Sequence, residues 1–433
     1  LLIALMLGIC LNAQNMAVIE QELQEVLNQK GDEMISVNII LKSQIDNEKL
    51  ISRLNNIKAK EDKKEFVISE LKEFASSNQS DVMSILQSEE RSLNVVDIQS
   101  HWMVNMINCT ATKDVIYYLS EHPDVFIIGH NKFEKLIDDF TPVKAEPKRG
   151  MVENVTKVGA NEVWEEGYTG EGVIVAVLDT GVNTDHVDLA DHLWDGGSAY
   201  PGHGWNCVEN NANTKDFHSH GTHCAGTICG DGTSGTQTGM APDATLMCIK
   251  ILNDNGEGTF NDFVEGVEFA IDNGADVMSI SVGWRYPNVD VSEGMRTLFE
   301  NVLSAGVVAS VAAGNDRDLI DSYPVPRNIN SPGNCPPPWL SPDQEANPGG
   351  LSAVVCVGAV DYSDVSAYFS SQGPVRWSNT QWGDYPYNTN SESQFGLIRP
   401  DVSAPGVDII SAAYDDNSGF YYMSGTSMAT PCV

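Results

Sequence analysis

Apolar positions along this chain keep two different rhythms. In the first 140 residues they come in short alternating or helical stretches. Met34–Leu41 reads as a strand. Two helical stretches follow, and Val67, Leu71, Phe74, Val82, Ile85 and Leu86 trace an apolar stripe along the second. Val95–Cys109 and Val125–Phe133 read as further strands, separated by a short helix over Lys113–Ser120. Together these predict a small α+β domain over residues 17–140. The charged, proline-containing stretch from Leu136 to Gly150 predicts an exposed linker, with Lys148-Arg149 open to a protease.

After residue 150 the rhythm changes to near-continuous apolar runs alternating with helical patterns. Gly172–Leu178, Ala244–Ile251, Ala275–Val282, Val307–Ala313 and Ser352–Val360 suit strands buried on both faces of a parallel sheet. Phe260–Asn273 and Val291–Ala305 supply helices between them. The expected architecture is a three-layer α/β domain. Segments 316–350 and 373–396, rich in Pro, Gly and Asn, are expected loops.

Charge sharpens this division. Residues 14–149 hold 16 basic and 23 acidic side chains, whereas residues 150–433 hold 9 and 37. So acidic a surface argues against nucleic acid and anionic membranes as partners. Leu1–Leu11 is an uncharged apolar run, too short for a bilayer but suited to the apolar core of a secretory signal. The expectation is that residues 1–13 are a partial signal peptide, with Asn12-Ala13-Gln14 near its cleavage site. Cys10 raises a lipid anchor, but Ile9 before it is larger than such signals usually accept. No other apolar run is long enough to span a membrane. An exported chain permits disulfides. Nine cysteines leave at least one thiol unpaired, and Cys335 and Cys356, flanking a proline-rich loop, are the pair most suited to bridging.

Four segments at or beyond the ends of the buried runs carry chemistry, where open α/β sheets place their sites. In Asp179-Thr-Gly a carboxylate follows a buried strand; the triplet is shared with aspartic proteases, which need a second copy or a dimer. His218-Ser-His-Gly-Thr-His223 allows two readings, a zinc cluster of His218, His220 and His223, or one general base at His220. Thr222 stands where the corresponding zinc motif wants Asp. Ala312-Ala-Gly-Asn315 delivers a side-chain amide suited to an oxyanion. Gly425-Thr-Ser-Met-Ala-Thr-Pro431 puts Ser427 at the mouth of a helix, a place that also suits an N-cap. Asp179, His220 and Ser427 stand in one of the chain orders known for an Asp-His-Ser triad.

With those motifs together, and with Met240-Ala-Pro242 and Ser279–Gly283, residues 150–433 resemble the subtilisin-like serine proteases, or subtilases. Residues 17–140 resemble the family's propeptide inhibitor domain with added helical length. The resemblance implies a partial signal (1–13), a propeptide inhibitor-like domain (17–140), a processing linker (141–153) and a three-layer subtilisin-like peptidase domain (154–433) cut off just past its nucleophile. It also implies roles. Ser427 is the nucleophile, His220 the base, Asp179 its partner and Asn315 the oxyanion donor. Ser281, Val282, Gly283, Ala313 and Gly314 bind substrate, and Trp284 crowds the specificity pocket. Asp188 matches a calcium position, although the loop Gly230–Gln237 lacks the Asn ligand the family often supplies there. Cys224 matches a small buried thiol found in one branch. The expectation is an exported, monomeric serine endopeptidase acting on polypeptides, inhibited by its own propeptide, needing no cofactor for chemistry. A catalytically silent subtilase used for binding and a zinc hydrolase are the alternatives.

Overall fold

Short runs of Val, Ile, Ala and Cys with no charge between them have only one stable place, the middle of a sheet covered on both sides. In the computed structural model, which describes residues 18–31, 33–136, 141–146, 149–285, 289–337, 352–377, 385 and 396–433, they form it. The chain divides into two units, residues 1–132 with 287–305, and residues 133–286 with 306–433.

The larger unit holds seven parallel strands: β1 (Ile174–Asp179), β2 (Gly204–Asn206), β3 (Thr245–Lys250), β4 (Val277–Ile280), β5 (Val308–Ala312), β6 (Val354–Val360) and β7 (Val402–Pro405). Their order is β2-β3-β1-β4-β5-β6-β7. Alternation sends the two faces to different helices. Val175, Val177, Leu246 and Cys248 pack with Cys224, Ala225 and Ile228 of the helix His220–Cys229. Leu178 and Ile249 instead approach Gly266 of the helix Phe260–Asp272. A Thr259–Asp262 capping box starts that second helix. The three-layer α/β expectation therefore holds. Asp179 is the last residue of β1 rather than the first beyond it.

The smaller unit is a five-stranded sheet in the order Val18–Ile19, Val125–His130, Ile35–Leu41, Met106–Ala111, Val95–His101. The stretch Val95–Cys109, expected as one strand, is two antiparallel strands joined by a turn in which Asn105 has φ 42°. The helix Lys60–Arg91 runs 32 residues, and Val67, Leu71, Val82 and Leu86 are buried as its stripe predicts, with Phe74 and Ile85 half-buried. The helix Val289–Ser304, expected between sheet strands, belongs by its contacts to this smaller unit. There the Asn301 amide donates to the Met103 carbonyl at 2.6 Å.

Two other expectations change. The stretch after Leu136 is not simply an exposed linker. Val143–Ala145 adds a strand to Phe420–Met423, and Gly150–Met151 pairs with Thr236–Gln237. Lys148 lies outside the described residues. Cys335 and Cys356 do not pair; all eight described cysteines are buried free thiols, and burial pushes Cys356 up to about 12.

Candidate active site

The candidate residues meet at the carboxyl ends of β1 and β5, where the sheet's own geometry gathers loops. Asp179 closes β1, and its carboxylate is completely buried. His220 opens the helix His220–Cys229, and its Nδ1–H donates to both Asp179 oxygens, at 2.8 and 2.9 Å. The approach is close because residue 221 is glycine; a Cβ there would run into the Gly181 carbonyl and the Asp179 side chain. Burial alone would lower the His220 pKa, but the Asp179 carboxylate beside it prevails and holds the imidazole well above its usual value.

A second buried carboxylate, which the sequence reading passed over, fixes the histidine loop. Asp216 accepts from the backbone N–H of His218 and Ser219 and from Thr180 Oγ1 on one oxygen. Its other oxygen accepts from the N–H and hydroxyl of Thr222. Thr180 Oγ1 in turn accepts from Gly221 N–H, and Thr222 Oγ1 from Asn183 N–H. The loop carrying His220 is thus tied to the loop after Asp179. Ser219, at φ 94°, is held in the left-handed region within this web.

Ser427 sits one residue into the short helix Thr426–Ala429, and its hydroxyl donates to the Ser281 carbonyl at 2.8 Å. Its own carbonyl accepts from Ser281 Oγ at 2.9 Å and from the Cys224 thiol at 3.5 Å. Cys224 Sγ lies 3.9 Å from His220 Nδ1, so this thiol bridges the histidine helix and the serine turn. Burial raises its pKa, which keeps it a neutral thiol rather than a nucleophile.

Asn315 follows β5 by three residues. Its side-chain oxygen accepts from Thr426 N–H at 2.9 Å and Thr426 Oγ1 at 3.0 Å, which turns the NH₂ end the other way. An atom placed where a Gly425 side chain would begin stands 3.5 Å from Asn315 Nδ2 and 3.6 Å from Ser427 N. The Asn315 amide nitrogen and the Ser427 backbone nitrogen thus both lie beside the space at Gly425. Gly425 itself is extended (φ 161°), so its value lies in the missing side chain.

The cleft beside Ser427 is walled by Ser281, Val282, Gly283, Ala312, Gly314 and Asn315. Ala313 is not part of it; its N–H donates to Val357 and its carbonyl accepts from Asn330. Trp284 does not crowd the cleft either. It is buried 5.2 Å from the Phe263 ring, and Arg285 takes the cleft position.

The zinc alternative fails on geometry. His223 Nε2–H donates to the backbone carbonyls of Ile409 and Tyr421, and His220 points at Asp179. The only described trio with metal-ligand atoms close together is Asp179, His220 and Cys224, where the carboxylate is already bonded to the histidine. Calcium at Asp188 fits no better. Both carboxylate oxygens accept hydrogen bonds from Ser234, through its N–H and its hydroxyl, so donors stand where a calcium site needs oxygen acceptors.

The sequence model described as the subtilase family matches residues 170–433. The chain belongs to that family. It is 32% identical over 384 residues to "Serine protease AprX" of Bacillus subtilis, covering 80% of this chain and 71% of that protein. It is 28% identical over 410 residues to "Bacillopeptidase F" of the same organism, covering 88% of this chain and 26% of that one. To "Subtilisin E" it is 33% identical over 280 residues, covering 64% of this chain and 58% of subtilisin E. This subtilase is therefore a serine-type endopeptidase by family. No helix among its described residues is long and apolar enough to cross a membrane.

Proposed function

We propose that this subtilase is made as an exported precursor and cleaves polypeptides by acyl transfer through Ser427. The observation that carries the reading is the buried Asp179–His220 pair, linked through Cys224 and Ser281 to a serine whose own N–H and the Asn315 amide nitrogen both lie beside Gly425. In this mechanism Ser427 Oγ leaves the Ser281 carbonyl and bonds to the substrate carbonyl carbon. His220 Nε2, the ring nitrogen turned away from Asp179, takes the hydroxyl proton. Asn315 Nδ2 and Ser427 N–H hold the oxyanion. The C–N bond then breaks, and the same proton leaves on the amine. A water repeats the sequence and frees the acid. Asp179 keeps the imidazole in the tautomer this requires and stabilises its charged form. With every one of these positions filled, the silent-subtilase alternative lacks support.

The same reading gives residues 17–140 the role of an inhibitor removed on maturation. In support, Glu134–Lys135 pairs antiparallel with Glu257–Gly258, and the Leu136 carbonyl accepts from Gly283 N–H at 3.0 Å. Chain that precedes the processing region therefore lies along the substrate edge by strand addition, as a substrate would. The Ser427→Ala protein tests the core of the proposal. It should lose fluorophosphonate labelling and peptide hydrolysis together. Hydrolysis that survives the substitution but disappears with a zinc chelator would replace this reading with a metal-dependent one.

A further inference from the structure

We infer that Lys250 is a positioning residue of this site, fixing the peptide that follows Asp179 so that the carboxylate stays opposed to His220. This rests on the peptidase reading and adds a residue to its machinery. Lys250 ends β3 opposite Asp179, the last residue of β1, in the parallel register. The alternation that sends Leu246 and Cys248 to the helix His220–Cys229 carries Lys250 to the same face. There its ammonium donates to the Thr180 carbonyl at 2.6 Å and to the Asp254 carboxylate at 2.9 Å, with only 5% of the side chain exposed. Lysine is almost never buried this far unless paired. A buried pair is in turn weak evidence for stability, because apolar residues of similar volume often serve as well. The place where this one ends points to position instead.

Thr180 is completely buried, and its polar groups reach three parts of the site. Its N–H donates to Asp179 Oδ1 at 2.7 Å. Its hydroxyl donates to Asp216 and accepts from Gly221 N–H, tying the Asp179 loop to the His220 loop. Lys250 takes the remaining group, the carbonyl. A buried carbonyl stripped of its donor bears a full desolvation penalty, so the peptide would turn to find another. The N–H on Asp179 and the hydroxyl between the two loops would move with it. Asp254 holds the ammonium from the solvent side, where its own side chain is exposed, so it can be replaced without opening the core.

The test uses matured protein from the full chain and one short peptide substrate, well below the melting temperature. Lys250→Met should lower kcat by about 10- to 100-fold, because a misplacement of about 1 Å can cost roughly 10²-fold. KM should stay near its original value, since Lys250 is not among the residues walling the cleft. The double variant Lys250→Met/Asp254→Asn keeps the net charge of the pair, so the acid limb of its kcat profile reports position rather than field. That limb should move downward, because a displaced Asp179 raises the His220 pKa less; lost stability alone would leave it in place. Asp179, Cys224, His218 and His223, the titratable groups that interact with His220, are untouched. Asp254→Asn alone keeps the bond to Thr180 and should lower kcat less than Lys250→Met does. Lys250→Gln, whose amide ends one bond short of the ammonium, should show the same fall and shift, and serves where methionine prevents folding. A double variant or a Lys250→Gln protein with kcat within about threefold and an unmoved limb overturns the inference, as does a larger fall from Asp254→Asn. In either case fluorophosphonate labelling of Ser427 in the unsubstituted protein keeps the peptidase reading. Absence of labelling and of all hydrolysis in that protein overturns both.

Discussion

Asp216 provides a severe test of the idea that this site is held together by buried hydrogen bonds. Its carboxylate is almost completely buried and accepts five hydrogen bonds at 2.7–3.1 Å, three on one oxygen and two on the other. In Asp216→Asn the volume is kept but only one oxygen still accepts. The amide serves most donors when that oxygen faces His218, Ser219 and Thr180, which leaves its NH₂ against the N–H of Thr222. Two charge-assisted bonds, each worth about 1.5–3 kcal/mol, are lost there. The Thr222 hydroxyl can rotate to accept from the new NH₂ and recover part of this. The net cost comes to about 2–4 kcal/mol, or a melting shift of roughly 5–10 °C for a domain of this size.

The same substitution loosens the loop that carries His220. Misplacing a catalytic group by about 1 Å can cost roughly 10²-fold in rate, so kcat should fall by about 10- to 100-fold. Asp216 is not among the residues walling the cleft, so KM should stay near its original value. The acid limb of the kcat profile should also move, because the Asp179–His220 contact depends on that loop; a role in stability alone would leave the limb in place. Calorimetry and steady-state kinetics well below the melting temperature read all three quantities. An Asp216→Asn protein with unaltered melting, kcat and acid limb would refute the reasoning.

Three further outcomes are expected. The His220 imidazole must be neutral to act as base, and Asp179 raises its pKa, so kcat/KM should climb with pH through a value above 6.5; Asp179→Asn should shift that limb downward, since burial is then opposed only by Cys224, and lower kcat about 10⁴-fold, as stopped assays across pH would report. His223 is buried with its pKa lowered to about 3, so the fold binds fewer protons there than the unfolded chain, and stability should fall below about pH 6.5 at up to roughly 1.4 kcal/mol per pH unit; His223→Gln should flatten that slope in melts recorded between pH 7.5 and 4.5, and identical slopes would count against it. Asn315→Ala should lower kcat by about 10²–10³ with little change in KM, a range known from a subtilisin; an unchanged kcat removes Asn315 from the oxyanion site.

Much of the fold was legible because burial on both faces leaves an unambiguous mark. Runs such as Val-Ala-Val-Leu and Leu-Met-Cys-Ile have no polar phase, and they became the middle of the sheet. The errors fell where tertiary pairing decides. Val95–Cys109 is apolar enough to read as one strand, yet Asn105 takes a left-handed backbone and folds it into a hairpin. Val143–Ala145 carries no strand pattern of its own; it is a strand because Phe420–Met423 offers an open edge.

The site divides in the same way, for a physical reason. Asp179, His220, Asn315 and Ser427 announce themselves through glycines and small residues that flank them, and where backbones approach closely the glycine is required, as Gly221 is here. Residues that act by hydrogen bonding need no such neighbours. Asp216 works through donors spread over Thr180, His218, Ser219 and Thr222, and a carboxylate accepting from that many groups has no fixed spacing to reveal it. Arg285 enters the cleft because Trp284 beside it turns into the core against Phe263, and which of two adjacent side chains faces inward is settled by packing. Chemistry that demands close approach therefore leaves a local signature, while orientation and selectivity are written in contacts between distant segments.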